Sequence, residues 1–439
     1  MNDVILHAFN WPYEKITGNA AAIAEAGYGA VLFPPPLYSD EKGTEWWQRY
    51  QPKDYRVIRS FLGNRAQLEK AVRALHEAGV RAYVDVVFNH MANEKGQRED
   101  CYNFPGEAEL KRYRDERQSF ERDRLYGDLN VGLFSPWDFN QDGDIRNWND
   151  LHESQEHRLS GLPDLDLSDW VIGQQQTCLR ALNDLGFDGY RIDAIKHLPF
   201  DHITKVFEIP EMGGKFVFGE SLTSNDHEES IFLWPLLGRT SISYYDFPLH
   251  ETLRRVFSPA GTMRELADPS TYGQALPWNR GVTFSTTHDI PYNDGFRWQL
   301  LDPQDEFLAN AYILSRNGGV PLVFSDSNES ARQYGADHNR WHDAWRRADI
   351  AAMILFHNRV HGTGQRTLYE SDGFIVYARG EGGIAALNKT AEWQHPVIWT
   401  YGMRHGTYRC LIHGHRMQLE GEHFRFSIPP RQAQLWLQE

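Results

Sequence analysis

Gly186-Phe187-Asp188-Gly189-Tyr190-Arg191-Ile192-Asp193-Ala194-Ile195-Lys196-His197 is the stretch that decides the fold. Residues 186–193 read as a short strand with charge gathered toward its C-terminal end. Side chains alternate along a strand, so Arg191 and Asp193 share a face. Working outward, seven more short runs have strand character: residues 4–9, 30–34, 80–88, 216–220, 241–247, 281–287 and 319–325. Most are apolar throughout rather than alternating, which suits parallel strands buried on both faces. Between them lie stretches with helical spacing. In residues 65–78, for example, Ala66, Leu68, Ala71, Val72 and Leu75 recur on one face, and Gly79 offers a C-terminal stop. Eight strands alternating with helices predict a (β/α)8 barrel of the α/β class.

Two stretches break the alternation. Residues 91–162 follow the third strand and are too long for an ordinary loop. They contain a charged helical piece, 107–126, and a polar region, 135–160, and they read as an inserted domain. After a helix near 343–361, short strands alternate with turns at 374–378, 384–388, 408–413, 424–428 and 434–437. The expected division is a barrel formed by 1–90 and 163–361, an insertion of 91–162, and a C-terminal β domain of 362–439.

The 439 residues agree with about three domains at roughly 150 residues each. The net charge is −15, with pI about 5.7. That argues against nucleic acid, which calls for a basic face, and against anionic membrane surfaces. Mean hydropathy is −0.59, and no apolar run reaches the roughly 20 residues of a membrane span. Cys101, Cys178 and Cys410 are widely spaced and form no CxxC pair, so neither a zinc site nor a disulfide framework is expected. Without a basic and apolar leader a cytoplasmic chain is expected, a secreted mature form being the alternative. The 14 Trp and 20 Tyr fit either ordinary packing or sugar-stacking platforms.

In a barrel of this kind, reactive groups sit at the C-terminal strand ends. Four such ends carry chemistry: Asp85 on the third strand with Asn89 and His90 after it, Arg191 and Asp193 on the fourth, Glu220 on the fifth, and His288 and Asp289 after the seventh. A buried Asp beside a guanidinium keeps its charge, the state a nucleophile needs. Glu220 follows Phe216-Val217-Phe218, and apolar company raises a carboxyl toward a general acid. Two carboxyls in divergent environments are the minimal apparatus of glycosidic cleavage.

These four segments closely resemble the conserved regions of the alpha-amylase family, glycoside hydrolase family 13. So do Trp46-Trp47-Gln48-Arg49-Tyr50-Gln51-Pro52 with Tyr55, and Gly161-Leu162-Pro163-Asp164-Leu165-Asp166. The pattern is nearest to animal-type alpha-amylases. The resemblance implies Asp193 as nucleophile, Glu220 as acid and base, and Asp289 as a third carboxylate that binds and distorts the sugar. It implies that His90 and His288 stabilise the transition state, that Arg191 holds Asp193 charged, and that Asp85 orients Arg191. Lys196 and His197 would lie on the leaving-group side, with Trp47 and Tyr50 stacking on glucose rings and Gln51 nearby. Carboxyls about 5–5.5 Å apart would give retention.

The resemblance also implies one structural Ca²⁺, held by the side chains of Asn89 and Asp164 and the carbonyls of Gln155 and His197. Chloride is not expected. Animal-type members bind it through the strand-four Arg, an Asn two residues before the third carboxylate, and a basic residue near strand eight. Here those last two positions are Thr287 and Leu322. Their glycine-rich mobile loop is replaced by Pro291-Tyr292-Asn293-Asp294-Gly295. Asp138-Phe139-Asn140-Gln141-Asp142-Gly143 starts like an EF-hand loop, but position twelve is Asn149, so a polar turn is expected.

The implied activity is endo-hydrolysis of α-1,4-glucans by a monomer. A 4-α-glucanotransferase or an exo-type maltooligosaccharide-forming enzyme is the alternative, and a non-catalytic binding relative is disfavoured because all three carboxylates are present.

Overall fold

Eight parallel strands close on themselves in the computed structural model, which describes residues 2–39, 45–93, 104–327, 337 and 339–439. They are β1 (Ile5–Phe9), β2 (Ala30–Phe33), β3 (Arg81–Val86), β4 (Gly189–Ile192), β5 (Phe216–Gly219), β6 (Ser243–Tyr245), β7 (Gly281–Phe284) and β8 (Val320–Asp326). Each pairs with its sequence neighbour, and β8 returns to β1 with Ile5 opposite Leu322. All eight fall within the runs read from the sequence, give or take a residue at their ends.

Their apolar character has the expected cause. Ile5, Leu32, Tyr83, Phe218, Tyr245, Phe284 and Leu322 fill the barrel interior, while Leu6, Val31, Val84, Ile192 and Tyr244 face the surrounding helices. Strand contact is closest at Gly189. A Cβ there would lie 2.5 Å from the carbonyl oxygen of Phe216 and 2.6 Å from the ring of Tyr83. The helix Arg65–Glu77 starts at a capping box, in which Asn64 accepts from the Gln67 amide and the Gln67 side chain accepts from the Asn64 amide. It stops before Gly79, whose φ is +77°.

Between β3 and β4, the charged helical piece is two helices, Glu107–Asp115 and Arg117–Asp123, broken at Glu116 (φ −113°, ψ 34°). They pack on a three-stranded sheet built from Leu37–Ser39, Pro52–Ser60 and Gly63–Asn64. Sequence reading gave no strand there, because Lys53, Asp54, Arg56 and Arg59 hide the period. The structure buries the first three by pairing them: Arg56 with Asp54 at 2.8 Å, and Lys53 with Glu109 of the insertion at 3.2 Å. Tyr113 donates to Asp54 across the same contact. Cys178 and Cys410 are buried free thiols, and Cys101 lies outside the described residues.

The C-terminal region is an antiparallel six-stranded sheet: β9 (Gln365–Glu370), β10 (Phe374–Arg379), β11 (Gly383–Asn388), β13 (Gly406–Cys410), β14 (Arg416–Leu419) and β16 (Gln432–Gln438), in the order β9-β10-β11-β16-β13-β14. A two-stranded ribbon of β12 (Val397–Trp399) and β15 (His423–Arg425) is the second, smaller layer. Alternation divides the large sheet's faces. Ile375, Tyr377, Leu387 and Leu435 join the barrel's core, and Val376, Ile384, Ala386 and Trp436 pack with Ile398 and Phe426. Asn388 of the Asn-Lys-Thr sequence is fully buried, its amide donating to the carbonyl of Glu392.

Candidate active site

Register places the chemistry. Asp85 lies opposite Arg191 across the β3–β4 pairing, and Glu220 follows β5, which pairs with β4. Arg191 is fully buried and supplies the only guanidinium to three carboxyls among the described residues. Its Nη1 donates to both Asp85 oxygens at 2.9 and 2.8 Å and to Asp193 Oδ1 at 2.8 Å. Its Nη2 stands 2.5 Å from Glu220 Oε2. Tyr50 donates to the other side of Asp85 at 3.0 Å. Above these groups opens a cavity of about 530 Å³, to which Asp193, Glu220 and Asp289 contribute at the barrel's C-terminal end.

One positive charge faces four buried carboxyls, and the proton equilibria respond. Burial, opposed by Arg191 and reinforced by Asp193, pushes Asp85 up to about 8. Burial also raises Asp193 and Glu220 against the pull of Arg191. Asp289 stands well above the carboxylate range, first by burial and then by the charge of Glu220. The site therefore holds protons on carboxyls near neutral pH, as acid catalysis requires. Arg191 alone does not keep Asp193 at an ordinary carboxylate value, because burial outweighs its charge.

The remaining residues named from the sequence are distributed unequally. Trp47, Tyr50, Gln51, His90, Lys196, His197 and His288 all line the cavity. Arg191 does not; it lies behind the carboxyls. Trp47 presents a half-exposed ring at the mouth, while Tyr50 is mostly buried and stacks on His288 at 5.0 Å. Phe9 stacks on the opposite face of His288 at 4.6 Å, so that ring is clamped. Burial depresses His288 well below the histidine range and His90 to about 4, so both imidazoles are neutral. His288 Nδ1 has no hydrogen-bond partner among the described residues. His90 is tied to the backbone through one ring nitrogen. Its Nε2 lies 2.9 Å from the Tyr50 carbonyl, which can only accept, so the ring proton is already committed. Lys196 donates to the Leu222 carbonyl at 2.8 Å.

Other contributors had weaker signals. Trp148 lines the cavity from the insertion, and an exposed Trp in a polar stretch was the only hint. His7, inside the barrel on β1, has both ring nitrogens unpartnered among the described residues and is pushed to about 3 by burial; an isolated His in an apolar run gives no warning of this. The segment in place of a glycine-rich loop forms a helical turn, Asp289–Tyr292, and Asn293 beyond it reaches the cavity.

The residues expected to hold calcium fit a cation. Asp164 is buried without an ion-pair partner among the described residues, its carboxyl raised well above its usual range by burial. Asn140 donates to it at 2.8 Å. The Asn89 backbone carbonyl accepts from the Leu165 amide, which fixes the position of that residue beside Asp164. The Gln155 side chain donates to the Leu198 carbonyl, and His197 contacts the Ser154 carbonyl at 2.8 Å, which aligns those two backbones. Neutral oxygens around an uncompensated carboxylate suit a hard divalent ion. In the EF-hand-like stretch, Asp138 accepts from Ser135 and Asn140 donates to Asp164, so the first and third loop positions are committed to protein partners. That supports the polar turn.

The sequence model of the alpha amylase catalytic domain matches residues 23–233. An alpha-amylase of Aeromonas hydrophila is 46% identical over 448 aligned residues, covering 99% of this chain and 95% of that protein. The crystal structure of alpha-amylase I from Eisenia fetida superposes with a TM-score of 0.81 at 21% identity, covering 99% of this chain and 96% of that one. A cyclomaltodextrin glucanotransferase with a three-domain arrangement superposes with a TM-score of 0.70 at 22% identity over 96% of this chain and 89% of that one.

Proposed function

Because the chain belongs to the alpha-amylase family and is a glycoside hydrolase, we propose that its cavity cleaves internal α-1,4-glucosidic bonds of starch, glycogen and maltooligosaccharides with retention. The observation that carries this reading is the single guanidinium of Arg191 holding Asp193 and Glu220 together at the cavity floor. Carboxyls that share one guanidinium cannot stand far apart, as double displacement demands.

Asp193 is the nucleophile. Its carboxylate oxygen bonds to the anomeric carbon while the glycosidic C–O bond breaks, and Glu220 gives its proton to the departing oxygen. Water then attacks the same carbon and loses a proton to Glu220; the ester bond to Asp193 breaks and the α-anomer is released. Asp289, its carboxyl raised well above the usual range by burial, hydrogen-bonds the sugar hydroxyls. Trp47 and Trp148 supply apolar faces for glucose rings. His288, neutral and clamped, orients the sugar.

Asn89 and Asp164 through their side chains, with the carbonyls of Gln155 and His197, would hold one Ca²⁺. Bound there, it supplies the counter-charge that Asp164 lacks and ties the insertion to the loops after β3 and β4. Chloride is not needed: Leu322 sits in the apolar barrel interior and offers no second cation beside Arg191.

The test is a product time course from soluble starch and maltohexaose. Wild type should give a spread of short α-anomeric products, and Asp193→Asn should lose at least about 10⁴-fold in kcat with its fold intact. Undiminished turnover by Asp193→Asn would refute the assignment. Products longer than the donor would mark a transferase, and one dominant length would mark exo action.

A further inference from the structure

At the other end of the barrel, away from the cavity, Asp3, His357 and His361 converge. Asp3 precedes β1; His357 lies in the helix Ala348–Val360, and His361 follows its last residue. Two imidazoles four residues apart, one in the helix and one just past its end, can chelate. One ligand atom from each of the three residues lies within 4.8 Å of the other two. His357 Nε2 is 2.8 Å from Asp3 Oδ1, and His361 Nδ1 is 3.6 Å from Asp3 Oδ2.

We infer that these three side chains form a zinc-binding site that fastens the start of the barrel to its last helix. Zinc bonds of about 2.0–2.2 Å to nitrogen and oxygen set neighbouring ligand atoms about 3.3–3.5 Å apart in a tetrahedron. The two contacts, 2.8 Å to one Asp3 oxygen and 3.6 Å to the other, lie on either side of that spacing, so opening the shorter hydrogen bond and turning the carboxylate admits the ion. Two imidazole nitrogens and one carboxylate suit zinc rather than calcium or magnesium, which take oxygen sets.

The ligands stand on fixed backbone. Arg81 donates to the Asn2 carbonyl, and the Gly29 amide to the Val4 carbonyl, pinning the chain on both sides of Asp3. Asn358, next to His357, donates to the Gly27 carbonyl. His357 is buried while His361 is half-exposed, which leaves the fourth coordination position to solvent. His357 Nδ1 has no partner among the described residues to orient the ring from behind. A metal-bound imidazole without such an outer partner typically binds about 10–100-fold more weakly.

The site lies far from the glycosidic chemistry and does not rest on it. The test is calorimetric titration of the tag-free, chelator-treated full chain with zinc chloride, beside His361→Ala. That variant removes one ligand and keeps the hydrogen bond between Asp3 and His357. Wild type should bind one equivalent and melt at a higher temperature with zinc. His361→Ala should bind at least about tenfold more weakly, with an unchanged zinc-free melting temperature. Absence of one-to-one binding, or equal affinity in both proteins, would overturn the inference.

Discussion

Replacing Asp85 by Asn should change sign in its effect on stability between pH 5 and pH 8. Asp85 does not line the cavity, yet it carries the site's proton balance. The unfolded chain releases this proton near 3.8, whereas burial in the barrel holds it up to about 8. A carboxyl raised in the folded state contributes stability that is complete below its ordinary value and is lost as pH climbs toward the raised one. Each pH unit in that interval costs about 1.4 kcal/mol. From 3.8 to 8 the loss reaches about 6 kcal/mol as an upper bound, since Asp193 and Glu220 share the Arg191 charge and readjust. About half of that is the working figure at pH 8, and less than about 1 kcal/mol is lost by pH 5.

The substitution has its own cost. Arg191 donates to both Asp85 oxygens, and Asn offers one acceptor and turns an NH₂ toward the guanidinium, a loss of about 1–3 kcal/mol. At pH 5 the loss wins, and at pH 8 the relief from a buried charge offsets or exceeds it. Thermal unfolding at both pH values, with salt and calcium fixed, reads the difference. The variant should melt lower than wild type at pH 5 and level with it or higher at pH 8, while maltooligosaccharide turnover falls at both. Equal destabilisation at the two pH values would refute the shared-guanidinium reasoning.

Other expectations follow from single contacts. Trp47→Ala removes an aromatic face worth on the order of 1–2 kcal/mol, so KM for maltohexaose should rise about tenfold with little change in kcat. In zinc-free protein, chelator should lower the wild-type melting temperature, by the equivalent of about 2.7 kcal/mol when calcium had been at a hundredfold excess over its Kd; Asp164→Asn should melt lower and lose that response. Exchanging chloride for another monovalent anion at constant ionic strength should leave activity within about twofold, because binding without a second cationic partner to Arg191 carries little free energy. Gly189→Ala forces a methyl onto the Phe216 carbonyl and should destabilise by about 2–3 kcal/mol, read by unfolding in urea.

The barrel was legible because its strands are hydrophobic on both faces, so each stands out as a short apolar run whatever its neighbours do. The strand Pro52–Ser60 was not, since buried charged residues interrupt its apolar ones, and Lys53 finds its partner, Glu109, more than 50 positions away. Strand-end carboxylates were readable from their places in the motifs. Their protonation was not, because it depends on how many carboxyls one guanidinium must serve, and β3–β4 register sets that. The role of His90 turned on a carbonyl of Tyr50, a backbone atom that no side-chain pattern reports.

Closure of the barrel has a consequence for biosynthesis. Ile5 pairs with Leu322, so the first strand emerges more than 300 residues before its partner exists. At about 5–20 residues per second, a ribosome needs roughly 15–60 s to deliver that partner. Throughout this interval β1 presents an unpaired edge with apolar residues on both sides. Even after β8 arrives, the barrel face that meets Tyr377 and Leu435 stays uncovered until the last ten residues of the chain are made. Yield in the cell should therefore depend on holdase chaperones and on slower, cooler expression far more than the stability of the finished protein would suggest.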